Sequence, residues 1–125
     1  MKHEPISRLM QTHTQVIGAD DRIVAVEAFL KLHHLSWAPV VADAGELIGV
    51  LSLSDLLRFH FDKRDAEATA AWQLCSYRPI TVSPATPVGT VASLMIERHI
   101  HHVVVTEGGT IRGVVSALDL VRALI

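Results

Sequence analysis

A seven-residue pattern that occurs twice constrains the fold of this chain more than any other feature. Residues 49–55, GVLSLSD, return at residues 113–119 as GVVSALD. In each copy the apolar run after the glycine predicts a buried strand, and the serine with an aspartate three positions later predicts the first turn of a helix. Unpaired backbone N–H groups collect in such a turn, so it can bind an anionic ligand group. The same residue pair is also an ordinary helix-capping pattern, so one copy alone would not indicate a function.

The repeat extends well beyond this motif. When residues 15–58 are aligned without gaps with residues 79–122, 12 of the 44 positions are identical, whereas ordinary composition gives roughly three by chance. Each copy reads as extended segment, helix, strand, strand, helix, and a unit of roughly 60 residues cannot bury its hydrophobic face alone. We therefore predict a mixed α/β (α+β) fold of two βαββα repeats that pack face to face through their sheets. The predicted domains are residues 1–62, the first repeat with an N-terminal helix, and residues 63–125, a connector helix and the second repeat.

Composition disfavours several functional classes. Half of the residues are hydrophobic, which is ample for a core, and a net charge of −2 without a basic cluster argues against nucleic acid as a partner. The apolar runs are too short for a membrane helix, and the N-terminus lacks the apolar core of a signal peptide. The single cysteine, Cys75, excludes an internal disulfide and fits a reducing compartment, so we expect a cytoplasmic location.

On these features the chain resembles a tandem pair of CBS domains, often called a Bateman module. The resemblance rests on the βαββα order, the doubled Gly-x-x-Ser-x-x-Asp, the segment Ile80-Thr81-Val82 and the pairs Pro39-Val40-Val41 and Val103-Val104-Val105. It implies a regulatory module that is not an enzyme and needs no cofactor. Such a module binds AMP, ADP, ATP or S-adenosylmethionine in the cleft between the repeats. It signals through the shape of a homodimer or through a regulated protein partner.

The resemblance also implies which residues bind the ligand. Family members use the motif aspartate for the ribose hydroxyls and the serine near the phosphates. These roles fall to Asp119 with Ser116 and to Asp55 with Ser52. Thr81 would line the second site, whereas the ungapped alignment places Ile17 at that position of the first repeat, so we expect the Asp119 site to be the better one. The other candidates are apolar neighbours of the first strands and cationic residues that could meet a phosphate: Val16, Ile80, Arg98, His99, His101 and His102.

Alternatives to a ligand sensor stay open at this point. A structural or protein-interaction module whose sites have decayed would have much the same sequence, because Ser/Asp capping survives without a ligand. An enzyme needs a nucleophile, a base and an orienting group within reach, and no Gly-x-Ser-x-Gly or P-loop motif occurs. Eight histidines suggest metal binding, but no His-x-x-x-His or Cys-x-x-Cys pair is present, so we predict no metal site.

Overall fold

The computed structural model describes residues 1–125 and contains two three-stranded sheets and four α-helices. The first repeat consists of β1 (Ile17–Gly18), α1 (Ile23–Leu32), β2 (Trp37–Val41), β3 (Leu47–Ser52) and α2 (Leu53–Phe61). The second consists of β4 (Thr81–Val82), α3 (Val88–Arg98), β5 (His102–Glu107), β6 (Thr110–Ser116) and α4 (Ala117–Leu124). In each sheet the middle strand pairs in parallel with the first strand and antiparallel with the third. The predicted mixed α/β fold of two βαββα repeats is confirmed.

The contacts divide the chain into two compact units, and the boundaries of these units differ from those of the repeats along the chain. One unit contains Met1–Thr14 and Ile80–Ile125, and the other contains Gln15–Pro79. The segment that precedes each repeat along the chain therefore packs with the other repeat. The domain boundary after residue 62 was inferred from chain order and stays a prediction. No helix in the structure has the length and apolar content needed to cross a bilayer.

Each unit has its own hydrophobic core, in which the apolar faces of its two helices pack with the sheet. The helix α1 buries Ile23, Val26 and Leu30, which are spaced as one face of a helix. The helix α3 buries the corresponding positions, Val88, Val91 and Met95. These side chains join buried strand residues in two separate clusters, one per unit.

The two segments that precede the repeats form single turns of 3₁₀ helix, Ile6–Arg8 and Ala71–Gln73. The helices predicted for the N-terminal segment and the connector are therefore present only as one short 3₁₀ turn each. In the connector, the carbonyl of Asp65 accepts from the Thr69 hydroxyl at 2.8 Å, and the N–H of Ala71 donates to the carbonyl of Asp21 at 2.8 Å. Because the Thr69 side chain and the loop before α1 bond to these backbone groups, the alanine-rich stretch does not continue as a helix despite its propensity.

Close approach of these segments explains the glycine of each motif. Ser76 exchanges two backbone hydrogen bonds with Val50, of 2.9 and 3.0 Å. A Cβ atom on the neighbouring Gly49 would lie 2.1 Å from the carbonyl oxygen of Ser76. In the other unit a Cβ atom on Gly113 would lie 2.8 Å from the carbonyl oxygen of Gln11. Both glycines are required because another backbone segment crosses directly over them.

The offset between the repeats changes at the hairpin turn. Trp37 pairs with Ser52, and His102 pairs with Ser116. The offset is therefore 65 residues before the turn (102 − 37) and 64 residues after it (116 − 52). One residue is missing from the second hairpin relative to the first. The ungapped alignment at a constant offset of 64 is consequently wrong by one residue from the first strand to the hairpin.

This correction changes which residues of the first strands are equivalent. Ile17 pairs with Val40, and Val82 pairs with Val105, which is 65 residues after Val40. Val82 therefore corresponds to Ile17, and Thr81 corresponds to Val16. Both of these last two side chains are exposed. The first repeat still lacks the threonine, but the residue in its place is Val16 and not Ile17.

Candidate ligand-binding site

Both motifs form capping boxes at the start of a helix. At α4 the Ser116 N–H donates to Oδ2 of Asp119 at 2.9 Å, and the Asp119 N–H donates to Oγ of Ser116 at 3.1 Å. At α2 the same bonds between Ser52 and Asp55 measure 2.8 and 3.3 Å. The cap occupies Oδ2 of each aspartate, so Oδ1 is the oxygen that meets other partners beside the helix N-terminus.

The two Oδ1 atoms have different partners. Oδ1 of Asp119 accepts a hydrogen bond of 3.2 Å from Nε2 of Gln11. Oδ1 of Asp55 forms an ion pair of 3.3 Å with Arg58, one turn later on the same helix. The equivalent Arg122 forms no such bond to Asp119. Sequence reasoning missed Gln11, because a residue 108 positions away gives no local signal for this contact.

His102 lies beside the second motif. It is directly opposite Ser116 in the antiparallel pair of β5 and β6, and opposed residues of such a pair point to the same side of the sheet. The pKa of His102 is lowered to about 4, first by burial and then by the neighbouring His101, while the Asp119 carboxylate acts in the opposite direction. The His102 imidazole is therefore neutral at neutral pH, so it can form hydrogen bonds there but cannot supply positive charge to a phosphate.

The other predicted residues of the second repeat differ in whether they contact this motif. The carbonyl of His101 accepts from the Ala117 N–H at 2.8 Å, which holds its loop against the start of α4. Thr81 is exposed on β4, next to the half-buried Ile80. Arg98 is exposed at the last residue of α3 and forms no hydrogen bond or ion pair with the motif. Ser116, Asp119, His101 and His102 are thus brought together directly, whereas Arg98 is not.

Residues 6–62 and 71–125 each match the model of the CBS domain. The chain belongs to the CBS-domain family. Over 123 residues it is 24% identical to the uncharacterized protein MJ1225 of Methanocaldococcus jannaschii, a match that covers 98% of this chain and 43% of that protein. The chain therefore spans less than half the length of this curated relative.

Solved structures of other CBS proteins share the fold. The crystal structure of CBSX2 in complex with AMP has a TM-score of 0.88 and 21% identity, and the match covers 97% of this chain and 96% of that chain. The CBS domain of a bacterial CNNM/CorC family Mg²⁺ transporter in complex with ATP has a TM-score of 0.85 and 19% identity, covering 97% of this chain and 87% of that chain. The predicted resemblance to a tandem CBS pair is confirmed.

The two CBS repeats share the cap but differ in the side chains around it. The carbonyl of Ser36 accepts from the Leu53 N–H at 2.9 Å, so Ser36 takes the place of His101. Trp37 takes the place of His102 opposite the motif serine. The first repeat has smaller or less polar residues at the positions equivalent to Gln11, Thr81, His101 and His102, namely Ser76, Val16, Ser36 and Trp37 respectively. The two CBS repeats therefore present different chemistry to a ligand.

The remaining histidines of the CBS pair do not converge on a site. His60 pairs with Glu27 at 2.6 Å between α2 and α1. No three histidine, cysteine, aspartate or glutamate side chains are arranged to hold a metal ion. A cavity of about 560 Å³ lies between the same two helices, and its walls are mainly leucine side chains, including Leu53 and Leu57. Neither motif contributes its serine or aspartate to this cavity.

Protonation of His102 leads to a prediction about stability. Its folded-state pKa of about 4 lies below the ordinary value of 6.5, so the unfolded chain binds the proton first as the pH falls. The free energy of unfolding should therefore decrease as the pH falls from about 6.5 to about 4. We expect a loss of about 1–2 kcal/mol, because the half-exposed ring is partly screened by solvent.

Denaturant unfolding at about pH 7.5 and about pH 4.5 measures this loss. His102→Gln should reduce the difference in unfolding free energy between the two pH values. The control His13→Gln, at an exposed histidine, should leave the difference as in the wild type. An equal difference in the wild type and in His102→Gln would show that another group is responsible.

Proposed function

We propose that this CBS pair is a regulatory module that binds an adenosine-containing ligand at the second motif. The candidates are AMP, ADP, ATP and S-adenosylmethionine. The observation that carries the proposal is Oδ1 of Asp119, a carboxylate oxygen beside a helix N-terminus that is not used by the helix cap. A carboxylate accepts hydrogen bonds from ribose hydroxyls, and the helix N-terminus favours a phosphate. CBSX2 with AMP and the transporter domain with ATP show that this fold can hold such ligands.

The surrounding residues have distinct roles in this proposal. Asp119 binds the ribose, and the Ser116 cap holds the carboxylate in place. Thr81 offers an exposed hydroxyl, and the adjoining Ile80 offers apolar surface to the adenine. Phosphate groups meet the N-terminus of α4 and the exposed side chain of His101, while the neutral His102 contributes hydrogen bonding only. Arg98, which lies at the end of α3 without a bond to the motif, has no role in this proposal.

Isothermal titration of the nucleotide-stripped protein with each of the four ligands tests the proposal. We expect one of them to bind with a stoichiometry of about one ligand per chain. Absence of heat from all four, with circular dichroism showing a folded protein, would contradict the sensor function. That result would favour the alternative, a structural or protein-interaction module, and the search would then turn to protein partners.

We also propose that the module works as a homodimer. Several large apolar side chains on the helices are exposed, among them Leu57 at 74% and Phe61 at 85% on α2 and Leu124 at 63% on α4. Leu57 and Phe61 lie one turn apart on α2, and exposed apolar surface of this kind is typical of interfaces between proteins. Ligand binding would shift the population of dimer shapes, and a regulated partner would respond to that shift.

Sedimentation equilibrium should give a mass of about twice the 13.7 kDa of one chain. Leu57→Glu should shift the mass toward that of the monomer, because it places a charge in the apolar surface. The control Ala44→Glu, at an exposed position of the turn between β2 and β3, should not. A monomeric wild type at high concentration would contradict this part of the proposal.

A further inference from the structure

The contact between Gln11 and Asp119 joins the candidate site to the N-terminal segment. Gln11 exchanges two backbone hydrogen bonds with Val114, of 2.9 and 3.1 Å, and Ile6 of the same segment is fully buried. The backbone of this segment is therefore held in place by the sheet and the core. Gln11 itself is exposed, so its side chain is free to rotate away without unfolding the segment.

We propose that Gln11 is a latch, which occupies Oδ1 of Asp119 in the unliganded protein and weakens ribose binding by competing for that oxygen. This inference rests on the proposed function. Oδ2 already accepts the Ser116 N–H, so Oδ1 is the acceptor that a ribose hydroxyl would use. The Gln11 amide donates to that same oxygen at 3.2 Å and therefore competes with the hydroxyl. Because the amide is neutral and exposed, its release needs little free energy.

The first repeat supports the assignment, because it lacks this contact. Ser76 is the equivalent of Gln11, since each exchanges backbone hydrogen bonds with the valine that follows the motif glycine. Ser76 forms no hydrogen bond to Asp55, whose Oδ1 is paired with Arg58 instead. Gln11→Ser therefore installs a residue that the same backbone position already carries in the other repeat. This variant removes the latch with little risk to the fold.

The test is titration of the wild type, Gln11→Ser and Gln11→Ala with AMP and with ATP. We expect both variants to bind about 3- to 10-fold more tightly than the wild type, because no protein donor then competes for Oδ1. The matched control Ser76→Ala should leave the affinity unchanged. In the Asp119→Ala background, Gln11→Ala should have no effect, because the acceptor for which both donors compete is absent.

The outcomes separate the latch from the proposed function. Wild-type binding with equal affinity in the Gln11 variants would overturn the latch alone. Weaker binding in the variants would also overturn it, since Gln11 would then contact the ligand rather than compete with it. Failure of the wild type and the variants to bind any adenosine ligand, with unchanged thermal unfolding, would overturn both the latch and the proposed function.

Discussion

Replacement of Gly49 by alanine should destabilise the protein by about 3 kcal/mol. The new Cβ atom would lie 2.1 Å from the carbonyl oxygen and 2.9 Å from the carbonyl carbon of Ser76. Both are backbone atoms, and Ser76 is held to Val50 by two hydrogen bonds. The clash can be relieved only if this pairing opens, and Ala71 and Cys75 of the same segment belong to the hydrophobic core.

The equivalent change in the other repeat provides a graded comparison. At Gly113 the nearest atoms are the Gln11 carbonyl oxygen at 2.8 Å and the flexible side chain of Met10. We therefore expect Gly113→Ala to cost only about 1–2 kcal/mol. Urea unfolding with a common m-value measures both differences. Equal stability of the wild type and Gly49→Ala would show that residues 70–76 can move away from the strand, contrary to the packing described above.

These glycines show how far the sequence could predict the structure. Both copies of the motif predicted a buried strand followed directly by a capped helix, because these features depend on residues that are near in sequence. At each glycine the backbone could either bend or approach another segment closely, and the sequence did not decide between the two. It could not predict that Ser76 and Gln11 are the residues that do so, because backbone pairing between distant segments leaves no periodic pattern in either segment.

The errors in the sequence analysis have related causes. A deletion of one residue in the second hairpin shifted the alignment of every earlier position, so Thr81 was matched with Ile17 instead of Val16. The consecutive valines of β2 and β5 concealed the error, because Val40 matches a valine at either offset, Val104 or Val105. The connector was predicted as a helix from its alanines, whereas hydrogen bonds to Asp21 and Asp65 determine its path.

The candidate site was predictable where it coincides with the motif and not elsewhere. Ser116 and Asp119 follow from the capping pattern itself. The charge state of His102 does not, because it depends on the burial of a ring whose sequence neighbours suggested an exposed cationic cluster. The difference between the repeats became visible only when the strand register showed that Trp37 replaces His102.

Asp119→Ala should weaken binding of the adenosine ligand by at least about 100-fold, which corresponds to about 2.7 kcal/mol. The variant removes the carboxylate that accepts the ribose hydroxyls. Asp55→Ala should change the affinity by less than about threefold, because Oδ1 of Asp55 is in an ion pair with Arg58 and the residues around it are less polar. Isothermal titration of both variants measures these effects.

The two variants control for each other, because each loses one capping box of nearly the same geometry. Each should therefore lose about 1 kcal/mol of stability, and thermal unfolding would verify that these losses are similar. A difference in affinity then reflects the ligand contact and not the helix cap. If Asp55→Ala abolished binding and Asp119→Ala did not, the first repeat would hold the ligand, and Trp37 in place of His102 would be the feature that selects it.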